Sequence, residues 1–588
     1  PFLDAAFTST IYGSCLFADP KNNGEPYIII AANNKAVAIK ISDSTTTDIA
    51  YPTGVLLSTE ANLIQGFNKV FAFRAGETAL EWDGILTGSP AFAKVPNGAY
   101  TEPATGTATT FAIANGLVTV GLEGVADSTN ALYLQEGDRV RVSVVGDSGL
   151  TLNEQYRVAS VTSATPDTFT FFVDNAPDIA DGSVSTYPQF IKRVSEGGGY
   201  IHMPAPPFGI VHQERLVVPF IYTSAASPAL RDPAVLDEVL LSEPLLPDQF
   251  DPEFGRGRLF PGTADFIQGF FSFAEDKLLI FNRNSIFVYS PTVDLTSMNK
   301  ALITKELGLV ARNSVVQVGN NILFLSDNGI YGVSFQDLYN LRGNDSPLSE
   351  AIDPIIQRLN KDVWHKSVAV YFDNRYYIAV PSKDYNNSDK LNVILVFNFL
   401  NKQWESLDYV NPISNQGVAS NWDIQNLIVA GNGDARGVYA VNSLGGLHRL
   451  DSTEVGEDSI IDQIGATAAT LNTKGKLRTR QFNFQNVGRK KWNDFEVQTE
   501  SSSAEASDFD MTFTTENLDN VIDAGKLSEY TNAETALAQD ESISIRGRIG
   551  NERAYGIDLT IDNTVGRPKM ESIRVSGGIE FNSTQSAE

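Results

Sequence analysis

The sequence predicts an all-β protein: an irregular β-propeller with an inserted small β-barrel or sandwich module and a C-terminal β-sandwich. Three observations predict it. Short apolar runs separated by tight polar turns recur along most of the 588 residues. The turns are rich in Asn-Asn, Asp-Asn-Gly and Gly-Asn-Gly, the strongest short-range signal for a β-hairpin. The hairpins return at irregular intervals of roughly 40–65 residues, the spacing of propeller blades.

The first hairpin is Tyr27–Ala31 with Ala36–Ile41 across Asn33-Asn34, and the second is Val70–Phe73 with Ala79–Trp82 across Gly76. Residues 1–97 are therefore expected to form the first blades. Ile64-Gln65-Gly66-Phe67 returns as Ile267-Gln268-Gly269-Phe270, which suggests internal repetition. Residues 98–199 change texture, with strict apolar–polar alternation in Leu117–Val120, Arg139–Val142 and Thr168–Val173. That period belongs to half-buried antiparallel strands, and the stretch is expected to be an inserted β module hinged at Asn97–Pro103 and Gly197–Gly199.

Residues 200–451 resume the blades. Hairpins are expected at Lys277–Phe281 with Ser285–Tyr289, and at Asn321–Leu325 with Ile330–Val333 across Asp327-Asn328-Gly329. Later ones are Ala369–Tyr371 with Arg375–Val380, and Gln425–Ala430 with Gly437–Val441. Leu236–Phe254 is Pro- and Asp-rich and is expected to be a long loop, a candidate gate or adaptor contact. Pro347–Asn360 carries Leu348, Ile352, Ile355, Ile356 and Leu359 at helical spacing, with Pro354 placed to kink or split the helix. Residues 452–474 read as a linker and 475–588 as the C-terminal β-sandwich, closing on a polar tail.

Length and composition bound the function. A chain this long exceeds one hydrophobic core; 42% hydrophobic and 20% charged residues are ordinary for a globular protein. The net charge of −27, from 44 basic and 71 acidic residues, argues against a protein that grips nucleic acid through its phosphates. Cys15 is the single cysteine, so no intramolecular disulfide can form. No apolar run approaches the ~20 residues of a membrane-spanning helix. No signal peptide opens the chain, and Pro1 is consistent with loss of an initiator methionine.

The residues offer no catalytic, cofactor-binding or metal-ligating set. His202, His212, His365 and His448 stand apart in the sequence and form no zinc spacing. Cys15 lacks a local partner. Asp19–Gly24 superficially matches a calcium loop, but Lys21 occupies a ligand position. Arg489-Lys490-Lys491 is the one compact basic cluster and reads as a solvated turn. The expectation is a structural or binding protein rather than an enzyme.

Certain stretches carry a resemblance. Leu309-Val310-Ala311-Arg312-Asn313-Ser314-Val315-Val316-Gln317-Val318-Gly319-Asn320 runs into Ile322–Tyr331, and Ser346–Ile355 follows. Near the end stands Gly566-Arg567-Pro568-Lys569-Met570-Glu571-Ser572-Ile573. With the blades, the insert and the terminal sandwich, these resemble the tail nozzle proteins of short-tailed bacteriophages, the tail tubular protein B and packaged-DNA stabilisation type. The resemblance implies a virion protein assembled in the host bacterial cytoplasm. It implies a homo-hexameric ring that meets a tail adaptor and fibre or spike proteins, and a lumen that retains and conducts double-stranded DNA until ejection. An acidic lumen would repel phosphates and let DNA slide. The alternatives are a baseplate or fibre-attachment component, or a glycan-binding or glycan-cleaving propeller.

Overall fold

The computed structural model describes residues 10–579, apart from 96–99, 102–104, 128–133, 143–154, 174–177, 182–188, 194–199, 220–236, 251–254, 260–264, 274–276, 291–298, 336–340, 410–422, 451–456, 461–468, 484–488, 502–506, 516–520, 531–541 and scattered single positions or pairs. The chain forms two compact units, one drawn from 9–411 and 421–443, the other chiefly from 444–588.

The first unit is a β-propeller. Ile11–Asp19, Glu25–Ala32, Lys35–Lys40 and Thr46–Ala50 pair in sequence order as one antiparallel blade. Ala61–Gly66, Lys69–Arg74, Glu77–Trp82 and Ala93–Lys94 form the next. The third blade opens with Ile210–His212, Arg215–Pro219, Glu238–Glu243 and Leu246–Phe250. Blades four, five and six begin at Ile267, Val316 and Val368, each with four strands in sequence order. The seventh contains Ile424–Ala430 paired with Gly437–Asn442.

Each blade begins on the strand nearest its neighbours. The Ile11–Asp19 strand packs against both Ala61–Gly66 and Ile424–Ala430, and the Val368–Phe372 strand packs against Val316–Val318 and Ile424–Ala430. The ring closes where the first blade meets the seventh. Ile11 N donates to Ser443 O at 3.1 Å, Asn426 Nδ2 donates to Ser14 O at 3.0 Å, and Ser14 Oγ donates to Gln425 Oε1 at 2.9 Å. Closure across more than 400 residues leaves no first or last blade with an open inner edge.

The local reasons are those of hairpin chemistry. Asp373 and Asn374 both take positive φ, 45° and 59°, the twist-matched two-residue turn. Phe67-Asn68 and Gln213-Glu214 do the same; the second holds neither Asn, Asp nor Gly and is not legible from composition. Apolar faces then fill the space between blades. Trp82 is fully buried with Phe17 at 5.0 Å and Phe92 at 6.4 Å between ring centroids, each such ring contributing about 0.5–1.5 kcal/mol beyond its buried area.

Several expectations are corrected. Leu236–Phe254 is not a loop: Glu238–Glu243 is buried along its whole length and pairs with Arg215–Pro219, and Leu246–Phe250 returns beside it. Pro and Asp flank this strand pair and mask its Val239-Leu240-Leu241 core. Pro347–Asn360 is not one helix. It holds a 3-10 turn, Glu350–Ile352, and a single α-turn, Asp353–Ile356, with Pro354 in the first turn. Proline removes the amide that a continuous helix would need there. The two Ile-Gln-Gly-Phe copies are not equivalent: the first ends its strand before the Phe67-Asn68 turn, whereas the second opens the Ile267–Phe273 strand. Within 452–474, Glu457–Ile460 pairs with Ala469–Asn472, so this stretch holds a hairpin.

The insert leaves from and returns to one place. Tyr100–Thr101 pairs with Tyr200–Ile201, and Ile201 pairs with Phe250 of the third blade. Its strands pair in the order Thr105–Thr107, Gln189–Arg193, Arg139–Val142, Gln155–Thr162, Thr168–Phe172, Leu117–Gly121, Thr110–Ala114. Phe111, Val118, Val120, Val140, Phe169 and Phe171 fill its core. Among the described residues no pairing joins the two ends of this path.

The second unit contains a β-sandwich. One sheet is Lys476–Arg478, Ile557–Val565, Asp508–Thr515 and Val521–Lys526; the other is Ser542–Ala554, Lys490–Ser501 and Pro568–Ile579. Asp508–Thr515 alternates partly and fully buried residues without exception, as a half-buried strand must. Trp492, Phe495, Val497, Phe509, Met511 and Phe513 form the centre of its core.

Candidate functional site

The residues that invite a search for chemistry do not converge. His212 is buried, with Nδ1 at 2.8 Å from Ser272 Oγ of the adjoining blade. His365 is exposed in a 3-10 turn, and His448 is buried in the other unit; His202 lies outside the described residues. Cys15 is buried on the ring-closing strand, and burial pushes its thiol up to about 12, so the thiolate that a nucleophile requires is scarce. Among the described residues, no group of three or more His, Cys, Asp or Glu is placed to hold a metal ion. Arg489, Lys490 and Lys491 do not share a face: Lys490 is fully buried with Nζ donating to Tyr555 O, while Lys491 is exposed.

Across Ile11–Asp19, Ala61–Gly66, Ile210–His212, Ile267–Phe273, Val316–Val318, Val368–Phe372 and Ile424–Ala430, the one charged side chain is Asp19, at the end of the first strand. In a chain of net charge −27, the inner strands of the ring are neutral and the acidic residues lie elsewhere. Amides serve as rivets there. Gln65 spans two blades, its Oε1 accepting from Ala18 N at 2.9 Å and its Nε2 donating to Ala18 O at 2.8 Å. Arg312 reaches back to the third and fourth blades, its guanidinium 3.8 Å from the Phe208 ring centroid and its Nε donating to Gln268 O.

Charges hold the rims of the blades. Arg283 of the fourth blade forms a two-pronged pair with Asp327 of the fifth, at 2.5 and 2.6 Å. Arg375 Nε donates to Glu405 at 2.7 Å, and this guanidinium holds the Glu405 carboxyl below its usual range.

On the sandwich, one groove of 410 Å³ runs over the three-stranded sheet, lined by Asp494, Glu496, Arg546, Arg548, Arg574 and Ser576 among others. The Ser544 hydroxyl, with the Arg546 and Arg574 guanidiniums, keeps the Glu496 carboxyl below the usual carboxylate range. These residues come from strands 50–80 positions apart, and no local sequence motif announces them.

No family model matches this chain, and no curated protein does. Among solved structures, it is similar to Saccharomyces cerevisiae Sqt1 at 7% identity and TM-score 0.33, covering 75% of this chain and 95% of that one. It is similar to Kluyveromyces lactis Hsv2 at 11% identity and TM-score 0.26, covering 68% and 100%. BBS1N, solved in complex with ARL6DN, is 10% identical at TM-score 0.27, covering 75% and 91%. At such scores these likenesses carry no argument, and the propeller assignment rests on the strand pairing and ring closure described above.

Proposed function

We propose that this β-propeller protein is a structural component of a short phage tail, of the nozzle type, working as a homo-hexameric ring around the DNA path. The observation that supports this reading is where the resembling residues sit. Leu309–Asn320 and Ile322–Tyr331 build the entry and first hairpin of the fifth blade. The turn after Ser346 packs onto that hairpin, with Leu348 N donating to Ile330 O. The resemblance is thus one of architecture, the kind a structural ring component would keep. Neutral inner strands bear on how such a ring would treat DNA: the single propeller holds no inner basic stripe to grip phosphates, so the acidic lumen expected from net charge would have to be built from other surfaces between protomers.

A second reading, a glycan-binding propeller, is favoured by a specific observation. The inner strands combine amides, hydroxyls and rings (Asn62, Gln268, Ser272, Gln425, Tyr12 and Tyr371) without Lys or Arg, which is the chemistry of neutral saccharide recognition.

The test is the mass of the purified chain by light scattering, with negative-stain electron microscopy of the same sample, alone and after mixing with phage tail extract. A ring of six, or incorporation into tails, is the expected result. A chain that stays monomeric in both samples and binds neutral oligosaccharides on an array overturns the nozzle reading in favour of the second.

A further inference from the structure

The outward face of the three-stranded sheet in the sandwich is an ordered grid. By strand register, Arg548, Asp494 and Ser576 form one row, Arg546, Glu496 and Arg574 the next, and Ser544, Gln498 and Ser572 the third. Phe495 and Val497 point the other way into the core. Strand spacing and rise make the grid about 10 Å by 14 Å. It holds three guanidiniums, two carboxylates, three hydroxyls and one amide, with no apolar side chain.

The backbone is adjusted at this level. Register with Pro568–Ile579 shifts between Trp492 and Asp494 and shifts back between Gln498 and Thr499, so the grid rows lie between two irregularities. Register with Ser542–Ala554 also shifts at Trp492/Asp494. Such bulges re-aim side chains and are over-represented beside functional sites. Gly547 leaves the floor open for Phe495: a Cβ there would lie 2.5 Å from that ring.

The grid itself leans cationic, three guanidiniums against two carboxylates, in a chain of −27. Arg546 and Arg574 are 77% and 81% exposed. Their contacts with Glu496 use a fraction of each guanidinium's five donors.

We propose that this grid is a binding site for an acidic polysaccharide whose sugars carry carboxylates. The guanidiniums on the two outer strands match carboxylate groups in two-pronged fashion. Asp494 and Glu496, on the central strand between them, accept from sugar hydroxyls. The same two carboxylates disfavour a polyphosphate, which would bring phosphates against them without donors to offer. A neutral glycan would satisfy the carboxylates and leave the guanidiniums unused. The proposal is independent of the tail-component reading: a failure here leaves the ring test untouched.

The experiment is calorimetric titration of the full chain with tetragalacturonate, with cellotetraose and inorganic polyphosphate as controls, at physiological ionic strength. Tetragalacturonate is expected to bind, and cellotetraose to bind about tenfold more weakly or worse. Arg548→Gln and Arg574→Gln are each expected to weaken tetragalacturonate binding about tenfold, with melting temperature unchanged because both side chains are exposed. Glu496→Gln is expected to weaken tetragalacturonate binding as well, since it trades a charged hydroxyl acceptor for a weaker neutral one and loosens the pairs that aim Arg546 and Arg574. No binding of tetragalacturonate overturns the proposal. So does polyphosphate binding as tight as tetragalacturonate, or a Glu496→Gln variant that binds both anions more tightly, either of which marks a plain anion patch.

Discussion

Ser314 and Ser349 hold the fifth blade from two sides. Ser314 Oγ accepts from Leu325 N at 2.9 Å and donates to Ala311 O at 2.6 Å; Ser349 Oγ accepts from Ile330 N at 3.0 Å. Both serines are buried. Removing either hydroxyl would strand a backbone amide where water does not reach, at a cost of about 1–3 kcal/mol. Ser314→Ala and Ser349→Ala are each expected to lower the urea midpoint with the slope unchanged. A wild-type midpoint in both would show that water relieves the amides. Gly329 belongs to the same knot, with φ +133° and space for a Cβ only 2.3 Å from Ser349 Oγ. The Asp-Asn-Gly turn was legible in the sequence; that a serine twenty residues on fixes its shape was not, because the contact is tertiary.

At the scale of elements, the hairpins with period-two strands and Asn- or Gly-containing turns were legible, since local chemistry decides them. Tertiary burial decided the rest. Glu238–Glu243 is a strand because it lies between Arg215–Pro219 and its return strand, a placement no window of sequence contains. The grid on the sandwich was invisible for the same reason, its columns being separate strands. Two outcomes follow for particular elements. The Glu405 carboxyl is held down chiefly by its hydrogen bond from Arg375. A depressed folded pKa gives stability that is present above the unfolded value of about 4.3 and is lost as pH falls below it. Glu405→Gln is therefore expected to lower the melting temperature modestly at neutral pH while leaving the acid value nearly unchanged, so that the acid limb flattens from above; an identical acid limb would assign that slope to other carboxylates. Cys15 supplies a probe of ring closure. Burial raises its thiol, so thiolate is scarce at pH 8, and labelling by a disulfide reagent must wait for the Ile11–Asp19 strand to open. Gln65→Ala and Asn426→Ala, which cut hydrogen bonds on the two flanks of that strand, are expected to speed labelling several-fold at about 1 kcal/mol per bond. Unchanged labelling rates in both variants would mean that the strand opens only with the whole domain.

For the whole molecule, the question is where a net charge of −27 is felt. Composition cannot say which strands face inward. The topology places neutral strands innermost in the propeller, so the charge acts elsewhere than on the inner strands. Duplex DNA should then find no attractive field at any distance longer than a Debye length, about 10 Å at 0.1 M salt, and no cluster of Lys and Arg on the inner strands to release its counterions. The basic-leaning sheet of the sandwich interleaves its guanidiniums with Asp494 and Glu496, which works against a run of phosphates. The expected outcome is that the purified chain retains no duplex DNA in a mobility shift at about 50 mM salt, where non-specific binders hold DNA strongly. Binding that weakens linearly on a log–log plot against salt would show that a phosphate-gripping surface exists, and its slope would count the contacts. Repeating the measurement with Arg546, Arg548 and Arg574 changed together to Gln would then locate it: loss of the slope would assign DNA to the sandwich, and persistence would assign it to the propeller's outer strands or loops.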